Sequence, residues 1–185
     1  MKKINLIVIV LFAFALTGYS ADIIVDPINP TQVPKTGQTT SYAARDDGAL
    51  QKGVTPPSPR FAIQANTNCV IDNVTGLMWA RNANQWKVAW GVAITNCNTL
   101  NYGGYSDWRL PNPKEFMSLM DYSANSPMLP AGHPFYNSDW GEQWWWTSTT
   151  ANWSTTEAIS FRVMYGHASS AFKTTTYCVW PVRGP

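Results

Sequence analysis

Two acidic residues, Asp139 and Glu142, lie close together in a polar stretch and are the first candidates for chemistry. A glycosidase uses two carboxyl groups held roughly 5 to 10 Å apart across a cleft. Nothing else in the sequence predicts such a cleft, and acidic side chains in loops are usually solvated. We therefore predict a protein that is not an enzyme, and a hydrolase that uses these two carboxylates is a less favoured alternative.

Three cysteines, Cys69, Cys97 and Cys178, are the other residues that could do chemistry. In an exported chain they favour one disulfide with one thiol left over. A metal site is less favoured, because no two cysteines have C-x-x-C spacing and neither His133 nor His167 is near a cysteine. We predict no metal ion and no cofactor, and a thiol enzyme that uses Cys178 is a minor alternative.

A calcium site of the lectin type would need several oxygen ligands close together. Its signals are an acid-Pro-Asn or acid-Pro-Asp motif and a later Trp-Asn-Asp. Leu110-Pro111-Asn112 has leucine in the place of the acid, and Asn152-Trp153 has no acid after it. The sequence therefore predicts no calcium site of this kind.

The N-terminus has the pattern of an export signal covering residues 1–20. Lys2 and Lys3 supply the positive start, an apolar stretch follows from Ile4 to Leu16, and Gly18-Tyr19-Ser20 is typical of a cleavage site. The apolar stretch is shorter than the roughly 20 residues that span a bilayer. We therefore predict an exported chain with no integral membrane segment after removal of the signal.

Removal of the signal also changes the charge of the chain. The 13 basic residues then become 11, which equals the number of acidic residues, 11. Non-specific binding to nucleic acid depends on clustered lysine and arginine. Because this chain has no such cluster, we do not expect it to bind nucleic acid.

Residues 21–60 are poor in large apolar side chains and rich in proline. Because proline fixes φ and lacks a backbone N–H group, this segment is predicted to be an extended arm or linker without long helices or strands. Tyr42 and Leu50 are expected to hold it against the domain. The globular domain is predicted to cover residues 61–185, which is enough chain for one small core.

The sequence of residues 61–185 predicts two helices. Apolar residues from Trp86 to Leu100 recur at helical spacing and predict the first. Asn112, Pro113 and Glu115 predict the start of the second, as N-cap, first-turn proline and capping-box acid. Arg109, just before this helix, is expected to fix the entering turn by pairing with Asp107 or a loop carbonyl.

Residues 61–185 are also predicted to form six short strands separated by turn residues. The turns are residues 72–76, which contain Asp, Asn and Gly, and the Tyr165-Gly166 pair between two strands. The predicted strands are residues 68–71, 77–80, 144–148, 158–164, 167–172 and 177–182.

Tryptophan is abundant, with 10 residues in the chain. Trp79, Trp90, Trp108 and Trp146 lie within element patterns or tight turns and are predicted to be core residues. Other tryptophans lie in or beside polar sequence, including the long loop 123–143, where exposed rings could stack on a sugar or peptide. The predicted ligand-binding residues are Trp140, Trp144, Trp153, Asp139, Glu142 and Asn152. An equally favoured alternative is that these rings pin the loop to the core.

Five motifs occur in order along the globular part. They are residues 72–80, Trp90 with Ala93, residues 104–115, residues 145–149 and residues 177–183. In this arrangement the chain resembles the Lcl C-terminal domain family, and the resemblance covers most of residues 61–184. Two upstream segments, residues 36–39 and 46–48, are similar to those that precede the domain in that family.

The resemblance implies an α+β protein with a C-type-lectin-like fold, in which two helices pack on short, twisted, mostly antiparallel strands. It also implies an adhesive, glycan-binding role like that of the type member, a bacterial collagen-like adhesin. A neutral chain is a poor match for the sulfated polysaccharides attributed to that adhesin. Many relatives pair the helical cysteine with a cysteine at the place of Pro181. In this chain Cys178 lies on the opposite strand face, so Cys69–Cys97 and Cys97–Cys178 are both open.

We therefore predict an exported binding or adhesion module, in the periplasm, outside the cell or on the surface of a bacterium. Its partner would be a glycan or a surface protein, held on the face formed by the loop 123–143 and the regions of Trp144 and Trp153. The alternative is a structural head or assembly subunit of a larger surface complex, for which a homo-oligomer is possible.

Overall fold

In a computed structural model of the protein, residues 33–136 and 139–184 are described. The predicted export signal and the first part of the predicted arm lie outside these residues. The described residues form an α+β fold with more sheet than helix, which confirms the predicted class. No helix among them is long and apolar enough to cross a membrane.

The strands form two sheets. The first sheet contains β1 (Phe61–Ile63), β2 (Cys69–Asp72), β3 (Met78–Ala80) and β9 (Val182–Arg183), in the order β1-β2-β3-β9. The second contains β4 (Trp86–Val88), β5 (Trp145–Thr150), β6 (Glu157–Arg162), β7 (His167–Phe172) and β8 (Tyr177–Val179), in the order β4-β8-β5-β6-β7. The β5–β8 pair is parallel, and the other pairs of these strands are antiparallel.

Three helices accompany the sheets in the described residues: α1 (Asp47–Leu50), α2 (Trp90–Asn98) and α3 (Pro113–Ser118). The predicted capping box at α3 is confirmed, because the Asn112 side chain accepts the Glu115 N–H and the Glu115 side chain accepts the Asn112 N–H. The predicted start of the first helix is wrong. Trp86 belongs to β4, where it pairs with Val179, a partner too distant in sequence for a helical pattern to reveal.

Local turn chemistry sets the hairpin between β2 and β3, as predicted. The Asp72 carbonyl accepts the Gly76 N–H at 2.8 Å, and Gly76 has a φ of +73°, which glycine adopts without steric cost. The Asp72 side chain is fully buried and forms an ion pair of 3.2 Å with Arg60. This turn therefore joins the first sheet to the end of the arm.

The core consists of two clusters on opposite faces of the second sheet. Because side chains alternate along a strand, Trp145 and Trp146 point to opposite faces. Trp145 packs in the larger cluster with Phe161, and Trp146 packs in the smaller one with Ala158 and residues of α2. Of the four predicted core tryptophans, Trp79, Trp108 and Trp146 are buried, and Trp90 is half-buried against the smaller cluster.

The three cysteines are buried and unbridged, so the predicted disulfide is not present. Cys178 belongs to the larger cluster and Cys97 to the smaller one. The second sheet separates these two clusters, which explains why the Cys97–Cys178 pair does not form. Cys69 lies in the larger cluster, again on the side away from Cys97.

Residues 33–60 contain little regular structure, namely the single turn of α1 and a bridge between Pro34 and Val54. Tyr42 is 81% exposed and Leu50 is 43% exposed, so the expectation that they hold the segment against the domain is wrong. A backbone contact does so instead, because the Thr36 carbonyl accepts the Tyr122 N–H at 2.8 Å.

Candidate functional site

One part of the second sheet is left uncovered by α2 and carries a group of aromatic and charged side chains. Trp144 and Tyr177 lie two residues before Trp146 and Val179, which face the smaller cluster. On the neighbouring hairpin, Arg162 pairs directly with His167. Strand alternation therefore brings these side chains to one face. We call the group Trp144, Arg162, Tyr165, His167 and Tyr177 the aromatic patch.

The rings of the aromatic patch form a continuous row. The ring centroids of Tyr165 and His167 are 6.0 Å apart and stacked, and His167 meets Trp144 edge-on at 5.2 Å. Trp144 is stacked with Tyr177 at 6.1 Å, with an interplanar angle of 21°. These spacings are typical of favourable aromatic pairs, so each ring helps to hold the next in place.

Arg162 connects this row to the loop that precedes β5. Its guanidinium carbon lies 4.7 Å from the ring centroid of Tyr165 and 5.8 Å from that of Trp144. Nη2 donates to the Glu142 carboxylate at 2.9 Å and to the Gly141 carbonyl at 3.0 Å. The rings of the aromatic patch therefore have fixed polar groups beside them, and a purely apolar surface would have none.

The aromatic patch is open to solvent at one end and shielded at the other. Tyr165 is 51% exposed and His167 is also exposed, whereas Trp144 and Tyr177 are half-buried. Burial raises the pKa of the Tyr177 hydroxyl, so this group stays protonated and can donate a hydrogen bond. The surface can therefore stack on a ligand and hydrogen-bond to it.

Residues 68–183 match the family model described as the Lcl C-terminal domain, which covers more than half of the chain. The chain belongs to the Lcl C-terminal domain family. No curated protein matches the chain. The Lcl C-terminal domain includes most of both sheets and the whole aromatic patch, whereas α1 and β1 lie before the matched residues.

Two of the six predicted ligand-binding residues of the Lcl C-terminal domain lie at the aromatic patch. Trp144 is a member, and Glu142 is paired with Arg162, its own side chain being 81% exposed. Asp139 is nearby in sequence, but its carboxylate accepts the Gly141 N–H at 3.1 Å and so closes the loop. These two acids are therefore held by separate partners.

Trp140 has a different environment. Its ring is stacked on Trp145 at 5.6 Å and lies 5.7 Å from Trp180, so it packs against the larger core cluster. His133 meets the same ring edge-on at 5.5 Å. For Trp140, these contacts favour the alternative that the ring pins the loop to the core.

Trp153 and Asn152 are exposed in the turn between β5 and β6, and Trp153 is 68% exposed. Trp144 precedes β5, whereas this turn follows it, so the six residues of that strand separate them by roughly 20 Å. The Lcl C-terminal domain therefore does not bring all six predicted residues into one site.

Four members of the aromatic patch, Arg162, Tyr165, His167 and Tyr177, are absent from the prediction. The sequence contains a signal for two of them, because a hairpin turn at Tyr165-Gly166 places Arg162 opposite His167. Tyr177 could not be found in this way, since β8 lies beside β5 through a parallel contact.

The cysteines of the Lcl C-terminal domain are buried in the two core clusters. Burial raises the pKa of Cys97 to about 12 and that of Cys178 to about 11, which opposes formation of the reactive thiolate. Burial also lowers the pKa of His133. In residues 33–136 and 139–184, no three His, Cys, Asp or Glu side chains are grouped so as to hold a metal ion.

Proposed function

We propose that this protein is an exported, non-catalytic binding module that recognises a neutral glycan through the aromatic patch. The observation that carries this proposal is the row of rings from Tyr165 to Tyr177 on an uncovered sheet face. The apolar faces of sugar rings stack on aromatic side chains, and adjacent polar groups orient the hydroxyls. Trp144, in the middle of the row, is the ring from which we expect the largest contribution.

The charge of the aromatic patch supports a neutral ligand. Its guanidinium, Arg162, is already paired with the carboxylate of Glu142. The chain without residues 1–20 also has equal numbers of basic and acidic residues. A polyanion such as a sulfated polysaccharide would therefore find no net attraction. The polar atoms that remain accessible are suited to the hydroxyl groups of an uncharged sugar.

The engagement of the ionisable groups supports a role without catalysis. Asp139 accepts a hydrogen bond from its own loop and Glu142 is held by Arg162, so the two do not act as a free acid and base. The high pKa values of Cys97 and Cys178 disfavour a thiol nucleophile. Membership of the Lcl C-terminal domain family and the α+β class support a C-type-lectin-like fold, the finer description that we also propose.

The test compares two tryptophans of similar chemistry at opposite ends of β5. Binding to an array of neutral oligosaccharides, followed by titration calorimetry on the best ligand, is expected to weaken at least about tenfold in Trp144→Ala. Trp153→Ala, which changes an exposed ring far from the aromatic patch, is the matched control and should bind like the parent. Affinity should change little as the salt concentration is raised, because no ion pair with the ligand is proposed.

Three results would overturn this proposal. Loss of binding in Trp153→Ala with retention in Trp144→Ala would place the site at the turn between β5 and β6. Binding confined to sulfated or other acidic glycans would contradict the predicted neutral ligand. A folded protein that binds no glycan but captures a defined surface protein through Trp144 would favour protein recognition instead.

A further inference from the structure

The outer edge of β7 is an open end of the second sheet. Within the described residues, β7 pairs with β6 on one side and no strand covers its other side. All six of its residues pair with β6 in continuous register, from Arg162 opposite His167 to Glu157 opposite Phe172. This edge is therefore straight and regular enough to accept another strand.

The other edge strands of the two sheets, β1, β4 and β9, are short or covered, whereas β7 is neither. β1 and β4 have three residues each, β4 carries the exposed Lys87, and β1 follows Pro59. β9 has two residues and its outer side bonds to Arg109. Short strands, lysine, proline and such cover are the usual protections of sheet edges. They are absent from β7.

The side chains of β7 also permit close approach. The strand reads His167, Ala168, Ser169, Ser170, Ala171 and Phe172, so its four central side chains are small and its six residues include no lysine, acid or proline. His167, Ala168, Ser169 and Phe172 are exposed. Unprotected edges of this kind pair with extended chains through backbone hydrogen bonds.

We propose that the outer edge of β7 pairs with the same edge of a second copy of this chain, forming a two-fold dimer with one continuous ten-stranded sheet. A two-fold axis that relates antiparallel neighbours is perpendicular to the sheet, so residues opposite each other lie on the same face. One residue of β7 must then lie opposite its own copy in the partner, and the axis passes between these two copies. About six backbone hydrogen bonds would join the two strands.

The side chains select Ser169 as the residue on the axis. In that register the two Ser169 hydroxyls meet and Ala168 lies opposite the partner's Ser170. An axis at Ser170 would instead place His167 opposite the partner's Lys173, two groups that repel when both are protonated. The Ser169 register has no such repulsion.

The dimer would have a consequence for ligand binding, which rests on the proposed function. Because the axis is perpendicular to the sheet, both aromatic patches would lie on the same face, with their Trp144 rings roughly 30 Å apart. A glycan chain or surface with repeated units could then engage both patches, and such linked binding strengthens the apparent affinity.

The first test measures the mass of the purified protein in solution over a range of concentrations, from about 10 μM to about 1 mM, because an edge contact of this size is weak. We expect a concentration-dependent dimer whose dissociation constant rises at least about tenfold in Ser169→Lys, since two ammonium groups would meet on the axis. Ser106→Lys, also an exposed serine, is the matched control and should dimerise like the parent. Near-UV circular dichroism shows that both variants are folded.

The second test checks the register without glycan, so that its result is independent of the proposed function. Under mild oxidation, Ser169→Cys is expected to form a dimer linked by a disulfide, whereas Ser170→Cys is not, because the native cysteines are buried and Ser170 is off the axis. A protein that stays monomeric throughout would overturn the proposal, even if β7 binds an extended peptide. Dimerisation unaffected by Ser169→Lys, or cross-linking only through Ser170→Cys, would overturn it equally.

Discussion

Arg109 holds the carboxylate of Glu115 with two hydrogen bonds, of 2.8 Å from Nη1 and 2.6 Å from Nη2. The same carboxylate accepts the Asn112 N–H at 2.8 Å, so the ion pair and the capping box of α3 share one acid. Arg109 also donates to the Gly184 carbonyl, whereas Asp107, its expected partner, is bound by Arg183. Arg109 thus ties the start of α3 to the end of the chain.

Glu115→Gln is expected to lower the free energy of unfolding by about 1–2 kcal/mol, because it removes the charge from a half-buried acceptor of three hydrogen bonds. Glu142→Gln is the matched control. It makes the same change in an ion pair whose acid is 81% exposed, and should cost less than about 0.5 kcal/mol. Urea denaturation of both variants gives the comparison, and equal stabilities would show that the Arg109–Glu115 pair adds nothing beyond a surface pair.

The same acid should influence stability at low pH. Burial opposes ionisation of Glu115, but hydrogen bonds from Arg109 and from the Asn112 backbone outweigh it and lower the pKa below its ordinary value of 4.5. Its contribution to stability is therefore complete above that pH and is lost as the pH falls through the lowered pKa. Urea denaturation between about pH 5 and pH 2 should show a smaller acid-dependent loss in Glu115→Gln than in Glu142→Gln.

Local signals were sufficient for the turn before β3 and for the start of α3. Both depend on side chains that bond to backbone atoms within four residues, such as Asn112 with Glu115. Pairings between distant segments were not predictable. Trp86 follows a helical spacing but pairs with Val179, and residues 177–182 are divided between two sheets at Trp180-Pro181. Proline has no N–H to donate, which suits it to the crossing.

The candidate site shows the same limit. Trp140 lies in polar sequence, which indicates exposure, but its ring packs against Trp145, at the start of β5, and against Trp180, which lies between β8 and β9 and is distant in sequence. The sequence shows that Trp144 is near a loop but not that Tyr177, from β8, lies beside it. Stacking partners from strands that are not consecutive in the sequence depend on strand order, which the sequence pattern does not specify.

Trp140 and Trp153 should separate a structural role from an exposed one. Trp140→Ala is expected to lower the free energy of unfolding by about 2–3 kcal/mol, because it removes a ring packed against the core. Trp153→Ala should change it by less than about 0.5 kcal/mol, since that ring is 68% exposed. Urea denaturation measures both. A small effect of Trp140→Ala would contradict the packing of its ring and favour a ligand-binding role for Trp140.

His133 should make the free energy of unfolding depend on pH at higher values than those at which Glu115 does. Burial lowers its pKa from the ordinary value of 6.5, and its ring contacts those of Phe135 and Trp140. A base with a lowered pKa contributes stability that is complete above 6.5 and is lost as the pH falls below it, because the unfolded chain binds the proton more readily. The free energy of unfolding should therefore be level above pH 6.5 and fall as the pH is lowered below it.

The variant His133→Gln tests this assignment. The slope of unfolding free energy against pH should become flatter in that variant than in His167→Gln, which changes an imidazole that is exposed on the aromatic patch. Equal slopes in the two variants would show that the half-buried imidazole of His133 is not responsible. The comparison needs only denaturation curves at a series of pH values.

The state of the thiols gives a direct chemical test of the core. Only the thiolate reacts with disulfide reagents, and burial raises the pKa of Cys97 to about 12 and that of Cys178 to about 11. Cys69 is also buried with a raised pKa, so the folded protein should show no fast-reacting thiol at about pH 8 and three after unfolding. Ser106→Cys provides a positive control, because an exposed thiol should react at once in the folded protein. A single thiol after unfolding without reductant would mean that two cysteines had paired, which would contradict the three free thiols of the core.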